Sequence, residues 1–373
     1  MASTQHPARP ARVMSLASRL IVGGLLPRID HAVAESVRPF TRPGIMRPDG
    51  AGRRFGWTHY GIFIPGLPEP FRYCNIMTLL GATGAVMIDN DHLQQDPPSD
   101  TATFLCSTAL GDDHHYRSYS IVSECRRDEG DLLVSFGEHL RIHGDYPTYR
   151  VEAAWGGFRL DITVRCTDTV SWFVRNVAYD HFSLFATCSG TITQSGTGEG
   201  AQDTRTLRLD DQMCTFEYAR SVSPYALSRR VIPDAWKLPA DFFTYQIINL
   251  DASTQLLLTD VRALGRTAFK GMHVRGRDGR AGIHVEDVVF EVLEYEPEPA
   301  VAPDGGRMRL PRRFRWRVRE AGVTVLDIEC RPASPWRFGL GRGYAGSYRF
   351  SGEYQGRPVS GDGYIEYIDC ESR

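Results

Sequence analysis

The chain predicts an all-β protein, two antiparallel β-barrels in tandem behind a short helical extension at the N-terminus. Three observations carry this. Short apolar runs alternate with polar residues at period two from about Pro48 onward, with Gly, Asn, Asp or Pro turns every ten residues or so. No long stretch after the N-terminal segment has a helical period, so the helices an α/β fold needs are missing. A short motif near the middle is echoed at the end, about one barrel's length apart.

The alternation is plainest in two places. Phe158, Leu160, Ile162, Val164 and Cys166 alternate with Arg159, Asp161, Thr163 and Arg165. Phe314, Trp316 and Val318 alternate with Arg313, Arg315, Arg317 and Arg319. Each run gives a strand with one apolar and one polar face. The arginine face is expected to be a solvated outer wall. Further strands are expected at Ile62–Ile64, Leu132–Phe136, Tyr149–Ala153, Phe182–Ala186, Thr204–Leu209, Tyr245–Leu250, Gln255–Val261, Val288–Leu293, Val323–Cys330, Tyr344–Phe350 and Gly363–Ile368. The echo is Thr215-Phe216-Glu217-Tyr218 against Tyr364-Ile365-Glu366-Tyr367, each ending a half.

Length supports two cores rather than one. Prolines 224, 233 and 239 break any ladder across Ser221–Asp241 and place the boundary there. The expected units are an extension over 1–48, a first barrel over 49–225 and a second over 226–373. Glu294–Pro311, rich in Glu, Pro and Gly, reads as a hairpin connection inside the second unit. In the extension, Leu16, Leu20, Val22, Leu25, Leu26, Ile29, Val33 and Val37 recur at roughly helical spacing, divided by Pro27. That segment is too short to span a bilayer. It is expected to pack on the body, and the alternative is peripheral membrane contact.

Composition narrows the function classes. With 43 basic and 45 acidic residues and a net charge of -2, the chain has no basic field for nucleic acid. The eight cysteines form no C-x-x-C pair, and several sit in apolar strand patterns as small hydrophobes. A reducing, cytoplasmic setting follows as the expectation. Asp89-Asn90-Asp91-His92, Asp112-Asp113-His114-His115 and His139-Leu140-Arg141-Ile142-His143 lack the spacing of a metal site, so no metal is expected. The glycine-rich pieces at 196–200 and 339–343 lie between strands and read as hairpin turns rather than phosphate cradles. No Gly-x-Ser-x-Gly elbow is present. No cofactor is expected, and oligomeric state is left open.

The second half resembles the C-terminal barrel of the AttH-like and carotenoid hydratase (hydroxyneurosporene synthase) superfamily. The residues that carry the resemblance are Asp241-Phe242-Phe243 leading into Tyr245–Leu250, then Asp251-Ala252-Ser253 and Gln255–Leu258. Arg309-Leu310-Pro311, Phe314-Arg315-Trp316-Arg317-Val318 and the closing Gly361-Asp362-Gly363-Tyr364-Ile365-Glu366 continue it. The resemblance covers roughly residues 240–370 and implies tandem lipocalin-like (calycin-type) barrels. It also implies a bulky hydrophobic small molecule as ligand, of polyene, terpenoid or polyketide type. The reaction implied is cofactor-free hydration, cyclisation or isomerisation. The alternatives are a non-catalytic carrier of a lipid or other hydrophobic ligand, and a purely structural module. The hydratases carry an aromatic-Asp-His-Asn-Trp-Gly-like segment at the end of their first barrel. Here Cys214-Thr215-Phe216-Glu217-Tyr218-Ala219-Arg220 stands at that place.

Glu217 is therefore the first candidate for chemistry. A carboxyl in an apolar site keeps its proton and can give it to carbon. Tyr218 and Phe216 are candidates to steady the resulting positive charge. The structural reading is that Glu217 pairs with an arginine such as Arg220 and closes the barrel, and Glu366 is weighted further toward a structural role. His59 is a third candidate catalytic group. On a strand Trp57 and His59 share one face and Tyr60 takes the other. Trp57, Tyr60, Phe216, Phe243 and Tyr245 are the candidate ligand contacts.

Overall fold

A computed structural model describes residues 30–48, 55–89, 91–95, 97–111, 113–128, 132–196 and 204–371. The fold is all-β, with two large sheets and a two-stranded hairpin among the described residues. The first holds β1 (Trp57–Ile64), β2 (Cys74–Leu80), β3 (Thr101–Ser107), β4 (His115–Ser120), β5 (Cys125–Asp128), β6 (Leu132–Phe136), β7 (Leu140–Asp145), β8 (Thr148–Trp155), β9 (Phe158–Arg175), β10 (Tyr179–Ser195) and β11 (Thr204–Ser221). They run in the order β4-β3-β2-β1-β11-β10-β9-β8-β7-β6-β5, curled into a nearly closed barrel.

The second sheet holds β12 (Ala240–Asn249), β13 (Thr254–Ala263), β14 (Arg266–Gly276), β15 (Ala281–His284) and β16 (Val288–Tyr295). After a small hairpin of β17 (Ala300–Val301) and β18 (Arg307–Met308) come β19 (Pro311–Glu320), β20 (Val323–Pro332), β21 (Arg337–Phe338), β22 (Tyr344–Tyr354) and β23 (Arg357–Asp369). Their order is β15-β14-β13-β12-β23-β22-β20-β19-β16, a more open curl of the same lipocalin-like kind. Counted outward from the closing strand the two orders correspond, and the first sheet runs two strands further at one end. In both halves the last strand lies between the first strand and the one before the last. The echoed motifs sit on these closing strands, β11 and β23. One detail differs from the sequence reading: Thr204–Leu209 belongs to the same long strand as Glu217, whereas Tyr344–Phe350 is the strand before Glu366.

The first core fills with its own side chains. Phe158, Leu160, Ile162 and Val164 point inward along β9, while Arg159 and Arg165 stay exposed. In the second half, Phe314, Trp316 and Val318 are buried. The arginines between them meet acids along the outer wall, among them Arg313 with Glu329 and Arg315 with Asp327. All eight cysteines are free.

One face of β1–β3 and β9–β11 packs against β12–β14 and β23. Phe63, Tyr73, Met77, Leu105 and Phe173 of the first half join the second half's apolar cluster. Phe63 packs on Tyr245 and Tyr364, with ring centroids 5.9 and 5.3 Å apart. Arg275 on β14 reaches across to donate to Ser183 O of β10 at 3.0 Å.

The expected helical extension is only partly described, since residues 1–29 lie outside the described set. Its described helix, α1 (Ala32–Glu35), is a single turn. It turns Ala32 and Ser36 inward and leaves Val33 and Val37 exposed, the reverse of the face the spacing predicts. The entry of the chain decides this. Asp30 accepts from both the Ala32 and the Arg175 amides, tying the turn to the end of β9. No helix among the described residues is long and apolar enough to cross a membrane.

Candidate functional site in the wall between the barrels

Alternation along β11 sends Phe216 and Tyr218 into the first barrel and Glu217 the other way, toward the second. Phe216 stacks on Tyr149 at 4.6 Å, and Tyr218 packs on Tyr60 and Phe182. Tyr60, Phe216 and Tyr218 thus belong to the first core, on the far side of the sheet from Glu217. Of the remaining sequence candidates, His59 and Tyr245 come together with Glu217. Trp57 stands at the rim of the same site. Phe243 lies on the Tyr245 face of β12, with ring centroids 6.5 Å apart.

Glu217 is 4% exposed. Its Oε1 accepts from His181 Nε2 at 2.5 Å, and His181 Nδ1 meets the Tyr179 hydroxyl at 3.1 Å. A carboxylate only accepts, so the hydrogen of that bond sits on Nε2. The other carboxylate oxygen, Oε2, is buried without a hydrogen-bond partner among the described residues. That costs desolvation energy with no return from the protein. The pairing with Arg220 expected for a structural role is not formed. Arg220 binds Asp180 at 3.1 Å instead.

His59 completes the other side. Its Nδ1 lies 2.7 Å from Thr78 O and donates to it, leaving Nε2 bare at 4.0 Å from Glu217 Oε1. Burial pushes the His59 pKa down to about 4, only partly offset by the charge of Glu217, so the ring is neutral at ordinary pH. Between them β1 carries Gly61, directly opposite Glu217. A Cβ there would lie 2.6 Å from the Phe63 ring and 2.9 Å from His59 Nε2. Glycine is what lets both rings close over the carboxylate.

Phe173 reaches the site through an irregularity. The register of β9 against β10 slips between His181 and Phe182, so Phe173 has no cross-strand partner there. Such a bulge re-aims a side chain. Phe173 lies 4.9 Å from the His181 ring and 5.5 Å from that of Tyr245.

From the second barrel come Tyr245, Arg275 and Glu366. Glu366 is 3% exposed and accepts from the Tyr364 hydroxyl at 2.8 Å. Burial, reinforced by the negative charge of Glu217, raises its pKa well above the usual carboxyl range. Arg275 is fully buried and donates to Ser183 and to Gln255 Oε1 at 2.6 Å. Burial pulls its pKa down to about 10, while Tyr245 and Glu217 oppose that shift. Trp57, Tyr179 and His181 are half-buried and form the rim. Two cavities lie elsewhere, one of about 160 Å³ near Pro43 and Tyr146, the other of about 760 Å³ along Ser123–Asp161, and neither borders Glu217. No group of three or more His, Cys, Asp or Glu side chains among the described residues converges as a metal site.

His181, Tyr179, Phe173 and Arg275 were not singled out from the sequence. A signal existed. Tyr179-Asp180-His181 is an aromatic-Asp-His run one strand before the place where such a pair was sought. Only the register, which sets His181 beside Glu217, gives it meaning.

The fold has solved counterparts. Kievitone hydratase from Nectria haematococca superposes with a TM-score of 0.57 at 14% identity, covering 91% of this chain and 95% of that one. A putative AttH protein from Nitrosomonas europaea gives 0.58 at 13% identity, covering 89% and 98%. These likenesses share the architecture that the motifs of the second half resemble. No curated protein matches the chain. The family of unknown function DUF6670 matches residues 77–373, and the chain belongs to that family.

Proposed function

We propose that the protein is an acid–base enzyme acting on a bulky hydrophobic small molecule of polyene, terpenoid or polyketide type. The reaction is hydration or a proton-driven cyclisation or isomerisation, without an organic cofactor. The observation that carries this is the pair of buried Glu217 and rim residue His181 at 2.5 Å, facing the buried Glu366 across the wall between the barrels.

Two carboxyls in different surroundings divide the roles. Glu366 keeps its proton and delivers it to an alkene carbon. The faces of Phe63, Phe173 and Tyr245 lie close to the resulting cation and steady it. Glu217, held by His181, takes a proton from the attacking water or from a neighbouring carbon, and its free Oε2 is the atom placed to do so. The ligand enters past Trp57, Tyr179 and His181, displacing rim side chains. The kievitone hydratase likeness fits such a reaction, though at 14% identity it supports the fold alone.

The test is solvent deuterium incorporation. A panel of polyenes and terpenoids is incubated with the protein in deuterated water, and products are read by mass spectrometry. Carbon-bound deuterium is expected with the wild type and is expected to fall roughly a hundredfold or more in Glu217→Gln. Unchanged incorporation in a folded Glu217→Gln protein overturns the assignment. Recovery of one bound, unmodified lipid with no turnover of any panel member assigns the protein to carriage instead.

A further inference from the structure

Adjacent residues in the segment joining the barrels have inverted burial. The Lys237 side chain is 0% exposed, while Trp236 is 67% and Leu238 50% exposed. Water ordinarily keeps the lysine and expels the indole. The inversion does not come from slack. Lys237 Nζ meets Asp91 at 2.6 Å, Asp234 at 3.3 Å and Asp89 at 3.5 Å. Arg342 clamps Asp234 with two bonds of 2.6 and 2.7 Å. The Leu238 amide donates to Gly84 O, and its carbonyl accepts from Val86. The segment is pinned here with Trp236 and Leu238 turned outward.

Those side chains have company. Leu227 is 96% exposed, and Val222 and Val231 of the same segment are also exposed. Val177 is exposed on the β9–β10 turn, where the Val222 amide donates to Ala178 O. Gly84 ties the two ends of the segment together. A Cβ there would lie 2.2 Å from the Pro224 ring, and Gly84 O holds Leu238. Arg229 and Arg230 are exposed between Leu227 and Val231, with no ion pair among the described residues. The segment also grows out of the rim of the site. Ser221, its first anchor, pairs with Trp57 on β1 and with Tyr179 on β10.

We propose that residues 222–238 form a docking surface for an anionic lipid bilayer. Leu227, Val231, Trp236 and Leu238 enter the headgroup zone, and Arg229 and Arg230 lie against acidic headgroups. A tryptophan and aliphatic side chains interleaved with unpaired arginines are what that zone accommodates. The inference rests on the proposed function in one respect only, the oily cargo that would pass from bilayer to rim. The surface itself stands on the inverted burial.

The experiment is co-sedimentation of the full-length protein with phosphatidylcholine vesicles, with and without phosphatidylglycerol. Binding to the mixed vesicles is expected, weakened by salt and by omission of phosphatidylglycerol. Trp236→Ser with Leu227→Ser is expected to weaken it roughly tenfold or more. Arg229→Gln with Arg230→Gln is expected to abolish the preference for anionic vesicles. All four positions are exposed, so unchanged melting temperatures are expected and confirm folded variants. Absence of binding to the mixed vesicles, or undiminished binding by the Trp236→Ser, Leu227→Ser protein, overturns the proposal. So does a dimer that Trp236→Ser dissociates in the absence of vesicle binding, which would assign the surface to a second copy of the chain. Glu217→Gln is expected to bind vesicles like the wild type. Vesicle binding without turnover therefore removes only the proposed chemistry, and turnover without vesicle binding removes only the docking surface.

Discussion

Glu217 and Glu366 hold equivalent places on the closing strands of the two sheets, and each turns out of its own barrel toward the other. Glu217 lies between Gly61 and Ser183, and Glu366 between Tyr245 and Ala345. The internal repeat thus delivers two carboxyls to one dry wall.

Removing the ionisable group of Glu366 separates its chemistry from its effect on stability. Its folded pKa is raised above the ordinary value of 4.5, so the folded chain holds a proton that the unfolded chain releases. The contribution of Glu366 to stability is therefore fully present below pH 4.5 and is lost as pH rises through the folded pKa. Glu366→Gln mimics the protonated form. It is expected to melt higher than wild type at neutral pH, with the gap closing in acid, and to lose roughly a hundredfold in turnover. Calorimetry across pH checks the first statement and the deuterium assay the second.

Gly61→Ala tests the packing over Glu217. The added methyl meets Phe63 and His59 in the buried part of β1, where overpacking costs about 1–3 kcal/mol. A lower denaturant midpoint is expected, together with loss of turnover as His59 and Phe63 are pushed aside. A variant with wild-type midpoint and wild-type turnover would show that the site has room to spare.

Acid sensitivity should trace to buried imidazoles. Burial lowers the pKa of His59 to about 4 and that of His273 to about 3, from 6.5. Each stabilises the fold above pH 6.5, and that contribution is lost as pH falls toward the folded value. The slope is up to about 1.4 kcal/mol per pH unit per group. His273→Phe is expected to flatten the decline of the urea midpoint between pH 6.5 and 4. An identical pH slope in wild type and variant would show that the imidazole is not the cause.

Alternation makes strands with one wet face plain, and one strand of the wall escaped it for a physical reason. Alternation marked β9 and β19 correctly because each has one wet face. β2 was not singled out, and it is buried along nearly its whole length. It lies between the first core and the wall, and its polar residues Asn75 and Thr78 are themselves buried and hydrogen-bonded, so neither marks a wet face. The site divides the same way. Glu217 was legible through the echo on β23. His181 was not, because its nearness to Glu217 depends on the pairing of β10 with β11. Phe216 and Tyr218 were grouped with Glu217 by chain proximity. The alternation rule that separated His59 from Tyr60 separates them too.

The equivalence of Gly61 and Tyr245 has a consequence for how the molecule can be divided. One copy of the repeat offers bare backbone beside its carboxyl, and the other a phenol. The copies have become unequal halves of a single chamber rather than two of a kind. Cutting the chain within 222–238 and purifying either piece would lay its carboxyl open to solvent. Chemistry of the sort proposed would return only when the pieces are mixed and reassociate.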